Sequence, residues 1–143
     1  MSAARRVGVR TPDAGCRIER DRAGVAEGVQ LMGDGNHVLR NRIIGAAERG
    51  VEVRDGAHVI ADNLSADGAL DGIALLVDGH EVSRNAIFGH GDQGLFVGTL
   101  DNTLERNRVL LNAVDLPDAT PDCDANLWQD NVFKTSVSDD CVQ

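Results

Sequence analysis

Glu48, Glu52, Asp71 and Asp92 are the side chains best suited to chemistry in this chain. Brought together, they would form a carboxylate patch able to hold Ca²⁺, or to act as a general acid and base pair. No spacing among them is dictated by a ligand geometry, and acidic loop residues also serve simply to keep an apolar framework in solution. His58 and His80 stand 22 residues apart. Two imidazoles on adjacent turns could share a metal, but no third ligand of fitting type is evident, and a polar column lining a turn accounts for them better. Arg40, Asp62, Arg84 and Arg106 recur at the same interval. An arginine can act as a base or neutralise a substrate carboxylate, whereas alternating Arg and Asp makes a cross-strand charge ladder. No Ser-His-Asp, Cys-His, phosphate-loop or zinc pattern occurs. Catalytic residues are therefore unassigned, no metal site is expected, and the only cofactor in view is Ca²⁺, should the carboxylate patch take part in a reaction.

The interval of 22 is the dominant feature of the sequence, and it decides what must position these residues. Asn41, Asn63, Asn85 and Asn107 follow one another at 22 residues, and Asn131 comes after 24. Val38, Ile60, Val82, Leu104 and Trp128 precede them by three. Ile43, Ser65, Ile87, Val109 and Phe133 follow them by two. Gly28, Gly50, Gly72 and Gly94 share a further column, each opening an apolar-x-apolar triplet such as Val51/Val53 or Ile73/Leu75. Each segment alternates with period two, which marks strands, and no stretch holds the run of 3.6-period pattern a crossover helix needs. Three short strands per repeat, each followed by a turn, predict an all-β coil of parallel strands in which every turn stacks about 4.8 Å above the last. Like side chains then pile into ladders. The asparagines are expected to bend the chain in the left-handed conformation and to bond to one another and to buried corner backbone. This explains Asn41, Asn63, Asn85, Asn107 and Asn131 without catalysis.

The column pattern N-x-V-x-x-N-x-I…G-V-x-L resembles the right-handed parallel β-helix repeat of the pectate-lyase-like superfamily, including NosD-type repeat proteins. The likeness covers about residues 7–133. It implies a right-handed parallel β-helix of about 22-residue turns, and it leaves the activity open, because one fold hosts many functions. Lyases and hydrolases of that superfamily lay substrate across the outer face of the Gly-apolar-x-apolar strand. Here that face offers Gln30, Glu52, Ala74 and Phe96, and the adjoining loops offer Glu48, Arg49, Asp67, Asp71, His90, Asp92 and Gln93. The candidate substrate-binding set is thus Glu48, Glu52, Asp71, His90, Asp92 and Phe96, with a polysaccharide as the partner class. Gly89–Gly91 matches the Gly-His-Gly string of polygalacturonases, but the companion N-T-D, D-D and R-I-K motifs are missing in the required order. Loops of mostly five residues or fewer, and Phe96 as the only outward aromatic, give little wall or platform for a saccharide groove. The leading expectation is a non-catalytic structural or binding module of a surface or secreted protein; the alternative is a small carbohydrate-active lyase or hydrolase.

The ends divide the chain into coil turns over 1–117 and a closing turn over 118–143. Pro117 and Pro121 fall where the next Gly-apolar strand belongs, and proline cannot donate to a sheet ladder. Trp128 and Phe133 then plug the inward columns. The Cys-flanked ending is similar to the closure of many secreted bacterial β-helix proteins and implies a Cys123–Cys141 disulfide worth roughly 3 kcal/mol. Cys16 is left over. A cysteine pair favours an extracellular or periplasmic setting, although no signal peptide is visible. Residues 1–22 carry six arginines against three acids, and no capping helix precedes the coil, so the open end suggests self-association or an upstream segment. The whole chain of 143 residues has net charge −9, which disfavours nucleic acid, and no apolar run of membrane-spanning length.

Overall fold

The computed structural model describes residues 9–11, 17–19, 22–24, 28–119 and 125–136. Sixteen three-residue strands run through them, with no helix among the described residues. They form three parallel sheets. Sheet A stacks β1 (Val9–Thr11), β4 (Val29–Leu31), β7 (Val51–Val53), β10 (Ile73–Leu75) and β13 (Leu95–Val97). Sheet B stacks β2 (Arg17–Glu19), β5 (His37–Leu39), β8 (Val59–Ala61), β11 (Glu81–Ser83), β14 (Thr103–Glu105) and β16 (Leu127–Gln129). Sheet C stacks β3 (Arg22–Gly24), β6 (Arg42–Ile44), β9 (Leu64–Ala66), β12 (Ala86–Phe88) and β15 (Arg108–Leu110). Each strand pairs with its counterpart one repeat away, as in Ala74 with Glu52 and Phe96. This is the expected parallel β-solenoid with turns of 22 residues.

The core is the set of inward columns. Val51, Ile73 and Leu95 of sheet A, Val38, Ile60, Val82 and Leu104 of sheet B, and Ile87 and Val109 of sheet C are fully buried. Gly50, Gly72 and Gly94 open the sheet A strands because the next turn lies too close for a side chain. A Cβ on Gly72 would stand 2.6 Å from the Gly94 carbonyl oxygen and 2.3 Å from Ile87. At the Asn corner, the Asn63 amide nitrogens of backbone and side chain both donate to Asn85 Oδ1, at 3.0 Å each. Asn85 in turn donates through Nδ2 to the Ile60 carbonyl and to Asn107 Oδ1, and Asn107 repeats the pattern with Asn131. Asn41 likewise donates to Asn63 Oδ1.

The left-handed residue is not the asparagine. Arg40, Asp62, Arg84, Arg106 and Asp130, each one place earlier, have φ between 52° and 58°. The asparagine is thereby left to turn its amide inward. These charged residues sit at the corner between sheets B and C, not on a sheet face. Arg84 clasps Asp62 there with two bonds of 2.8 and 3.1 Å.

The closing turn also differs from expectation at Pro117. Sheet A continues past β13 through bridges of Gln93 with Val114 and Val97 with Asp118. Pro117 takes part as an acceptor, its carbonyl receiving the Val97 N–H at 3.2 Å, and Leu116 is fully buried. Trp128 lies in the inward column of sheet B, and its indole N–H donates to Asp118 at 3.2 Å. Phe133 packs partly buried against the core. Cys16, Cys123, Cys141 and Pro121 lie outside the described residues, and so does the expected disulfide.

Candidate functional site

Sheet A brings Glu52 and Asp71 together with Arg49, which the sequence placed in an adjoining loop, and with Arg54, which it did not single out. Glu52 projects outward from the middle of β7, and Asp71 stands just before β10, one turn on from Arg49. Arg49 Nε donates to Asp71 at 2.8 Å and its Nη1 to Glu52 at 2.7 Å. Arg54 approaches the same Glu52 oxygen at 3.0 Å. Gln30, the register partner of Glu52 on β4, donates to the other oxygen at 3.0 Å. Glu52 and Asp71 are 7% and 5% exposed, so each is a buried carboxylate with its charge met. Burial alone would raise the Glu52 carboxyl, but Gln30, Arg54 and Arg49 outweigh it and hold its pKa below the ordinary carboxylate value. Arg49 is shifted upward, first through its bond to Asp71.

Beside this cluster a groove of about 390 Å³ opens over β4 and β7, lined by Gln30, Met32, Glu48, Arg49, Glu52 and Arg54. Its walls combine guanidinium and amide donors with carboxylate acceptors. Of the remaining sequence candidates, Glu48 is exposed at its rim, Asp92 is exposed elsewhere, and Phe96 is half-buried on β13. Ala74, between Glu52 and Phe96 in register, has no exposed surface at all. Among the described residues no three His, Cys, Asp or Glu side chains converge to hold a metal ion.

His90 does not line the groove. It is 3% exposed, with Nε2 3.1 Å from Ser65 Oγ, and its Nδ1 is a buried atom without a hydrogen-bond partner. Burial depresses its pKa, against weaker pulls upward from Ser65, Asp67 and Asp71. A Cβ on Gly68 would lie 2.7 Å from Nδ1, so the glycine is what lets the ring in. Ser65 is the polar intruder in an inward column otherwise built of Ile43, Ile87 and Val109, and that intrusion was the signal for a buried partner in the following turn. Ser65 is 1% exposed, so the pair lies within the coil, behind the outer face of the sheets.

His58 and His80 form part of a second polar column that runs from Asn36 to Asn102. Their rings stack with centroids 5.6 Å apart and planes inclined by 1°. Each Nδ1 accepts a backbone N–H from the turn before, Asn36 to His58 at 3.1 Å and His58 to His80 at 3.2 Å. Each Nε2 reaches a carbonyl three residues back, Asp55 for His58 and Val77 for His80. The imidazoles thus do the work that Asn102 does one turn later, where Oδ1 accepts the His80 N–H at 3.0 Å. Both ring nitrogens are in use, which leaves neither for a metal. Phe88, on the outer face of sheet C, is half-exposed and is a second outward aromatic beside Phe96.

Compared with known proteins, the chain matches no family model, no curated protein and no solved structure at a significant level.

Proposed function

We propose that this chain is a non-catalytic β-solenoid binding module that takes a polysaccharide in the groove over β4 and β7. The observation that carries this reading is Arg49. By donating to both Glu52 and Asp71, it occupies the two best-placed carboxylates in one bridge. A general acid needs a raised pKa near its working pH, and Glu52 is moved the other way. Paired arginines, carboxylates and an amide around a shallow groove suit hydroxyl-rich ligands, which need donors and acceptors at fixed places.

The test uses the full chain with oligogalacturonate and with a neutral glucan, each with and without Ca²⁺. Binding is followed by amide chemical-shift changes and cleavage by the appearance of new reducing or unsaturated ends. Saturable shifts at Gln30 and Glu52 without cleavage, weakened about tenfold by Arg54→Ala, support the proposal. Cleavage that Asp71→Asn or Arg84→Ala abolishes would establish the lyase or hydrolase alternative instead, and absence of binding to both polymers would reject a saccharide partner.

A further inference from the structure

We propose that the outer face of sheet C is a self-association surface, packing against the same face of a second copy of this chain about a two-fold axis parallel to the solenoid. The face is independent of the groove over sheet A. Its strand positions carry no acidic residue from β6 to β15, in a chain of net charge −9. Only Arg42 at one end and Arg108 at the other are charged, and both are exposed. Between them lie half-buried apolar side chains, with Val132 beyond Arg108 at 53% exposure. Arg108 already leans over the Phe88 ring, 6.0 Å from its centroid.

The order of large and small residues selects a partner. On β9 the outward pair is Leu64 then Ala66, and on β12 it is reversed, Ala86 then Phe88. A two-fold axis along the solenoid sets each strand antiparallel to its own copy. Leu64 then meets Ala66 of the second copy, and Phe88 meets Ala86, so a bulge enters a hollow in both central rows. On β6 and β15 the same operation puts Arg42 over Ile44 and Arg108 over Leu110, with no guanidinium opposite another. The alternative axis, along the strands, also matches large with small, but it faces Arg42 with Arg108. Like charges across a contact are costly, so charge separates two packings that shape alone leaves equal. An isologous contact of this kind closes at a dimer. The four strands span only about 14 Å between first and last, and three residues add about 10 Å in the other direction, so the face covers a small part of the roughly 800 Å² per partner of stable interfaces. The dimer is accordingly weak.

Sedimentation equilibrium of the full chain over about 10 µM to 1 mM reads this directly. A monomer–dimer equilibrium is expected, weakened at least tenfold by Ala66→Trp, which fills a hollow, and by Ile44→Arg, which sets guanidinium against guanidinium. Both changes are at the surface, and unchanged circular dichroism verifies the fold. Mixing Leu64→Cys with Ala66→Cys copies under mild oxidation should yield the crossed disulfide, identified by mass spectrometry of the linked peptides. A chain that stays monomeric at 1 mM would overturn the proposal. So would a dimer that both surface variants leave intact, which would point to the solenoid ends or another face.

Discussion

At the residue scale, the buried polar columns carry the sharpest consequences. Removing Asn85 would take the acceptor from the Asn63 backbone N–H and side-chain amide, and a donor from the Ile60 carbonyl and from Asn107 Oδ1, all inside the protein. An unsatisfied buried group costs about 1–3 kcal/mol, so Asn85→Ala should lower stability by about 2–6 kcal/mol in urea unfolding. His80 predicts a pH dependence. Burial depresses its pKa from 6.5 to about 4, with Asp78 pulling upward and His58 downward as lesser influences. The unfolded chain therefore binds a proton below pH 6.5 that the folded one refuses. Stability is complete above that pH and declines as pH falls toward 4, by about 3 kcal/mol from this residue alone. His80→Asn keeps an acceptor for the His58 N–H and should flatten that part of the profile. Comparing unfolding of the two chains between pH 4 and 7 isolates the effect from carboxylates such as Asp34 and Glu52, whose depressed pKa values act at lower pH. A variant with the wild-type slope would refute this account.

At the element scale, most of the architecture was legible because every column reports the same fact several times over. Asn41 to Asn107, Gly50 to Gly94 and the apolar triplets each state the period, and period two within segments states the strand. What could not be read was backbone conformation at single positions. Arginine has no marked preference for the left-handed region, so nothing in Arg40, Arg84 or Arg106 announced that these, and not the asparagines, make the corner. The candidate site was half legible. Glu52 and Asp71 were identified, yet their neutralisation was not, although Arg49 precedes Asp71 by one full period and the interval itself foretold their contact. His90 was placed in a loop beside the outer face because it precedes the Gly94 strand. Its burial depended on a polar Ser65 in another segment. The glycine column yields a test of close approach: Gly72→Ala must displace the backbone of the next turn and Ile87. A loss of several kcal/mol is expected by thermal unfolding, larger than the roughly 1 kcal/mol of an ordinary change at glycine. A loss under 1 kcal/mol would mean that the turns can separate cheaply.

At the scale of the whole molecule, two sheets and a corner give the chain three different outer surfaces. Sheet A presents the arginine–carboxylate groove, the corner between B and C carries the Asp62–Arg84 clasp, and sheet C is apolar between two arginines. The most extensive contacts between strands join counterparts in adjacent turns, so stability is close to a sum over turns and their interfaces. Exact repetition also makes length adjustable. A chain lacking residues 64–85 joins Asn63 directly to Ala86, in the place Asn85 occupied. Val51 and Leu95 columns, the amide ladder and the corner would all find like partners across the junction. Such a shortened chain should fold, keep its β-sheet circular dichroism and melt at a lower temperature, whereas removal of one residue fewer or more should not be tolerated. Gene duplication or loss can therefore ratchet this protein along its axis in whole notches, growing or trimming the rod without rewriting any residue that remains.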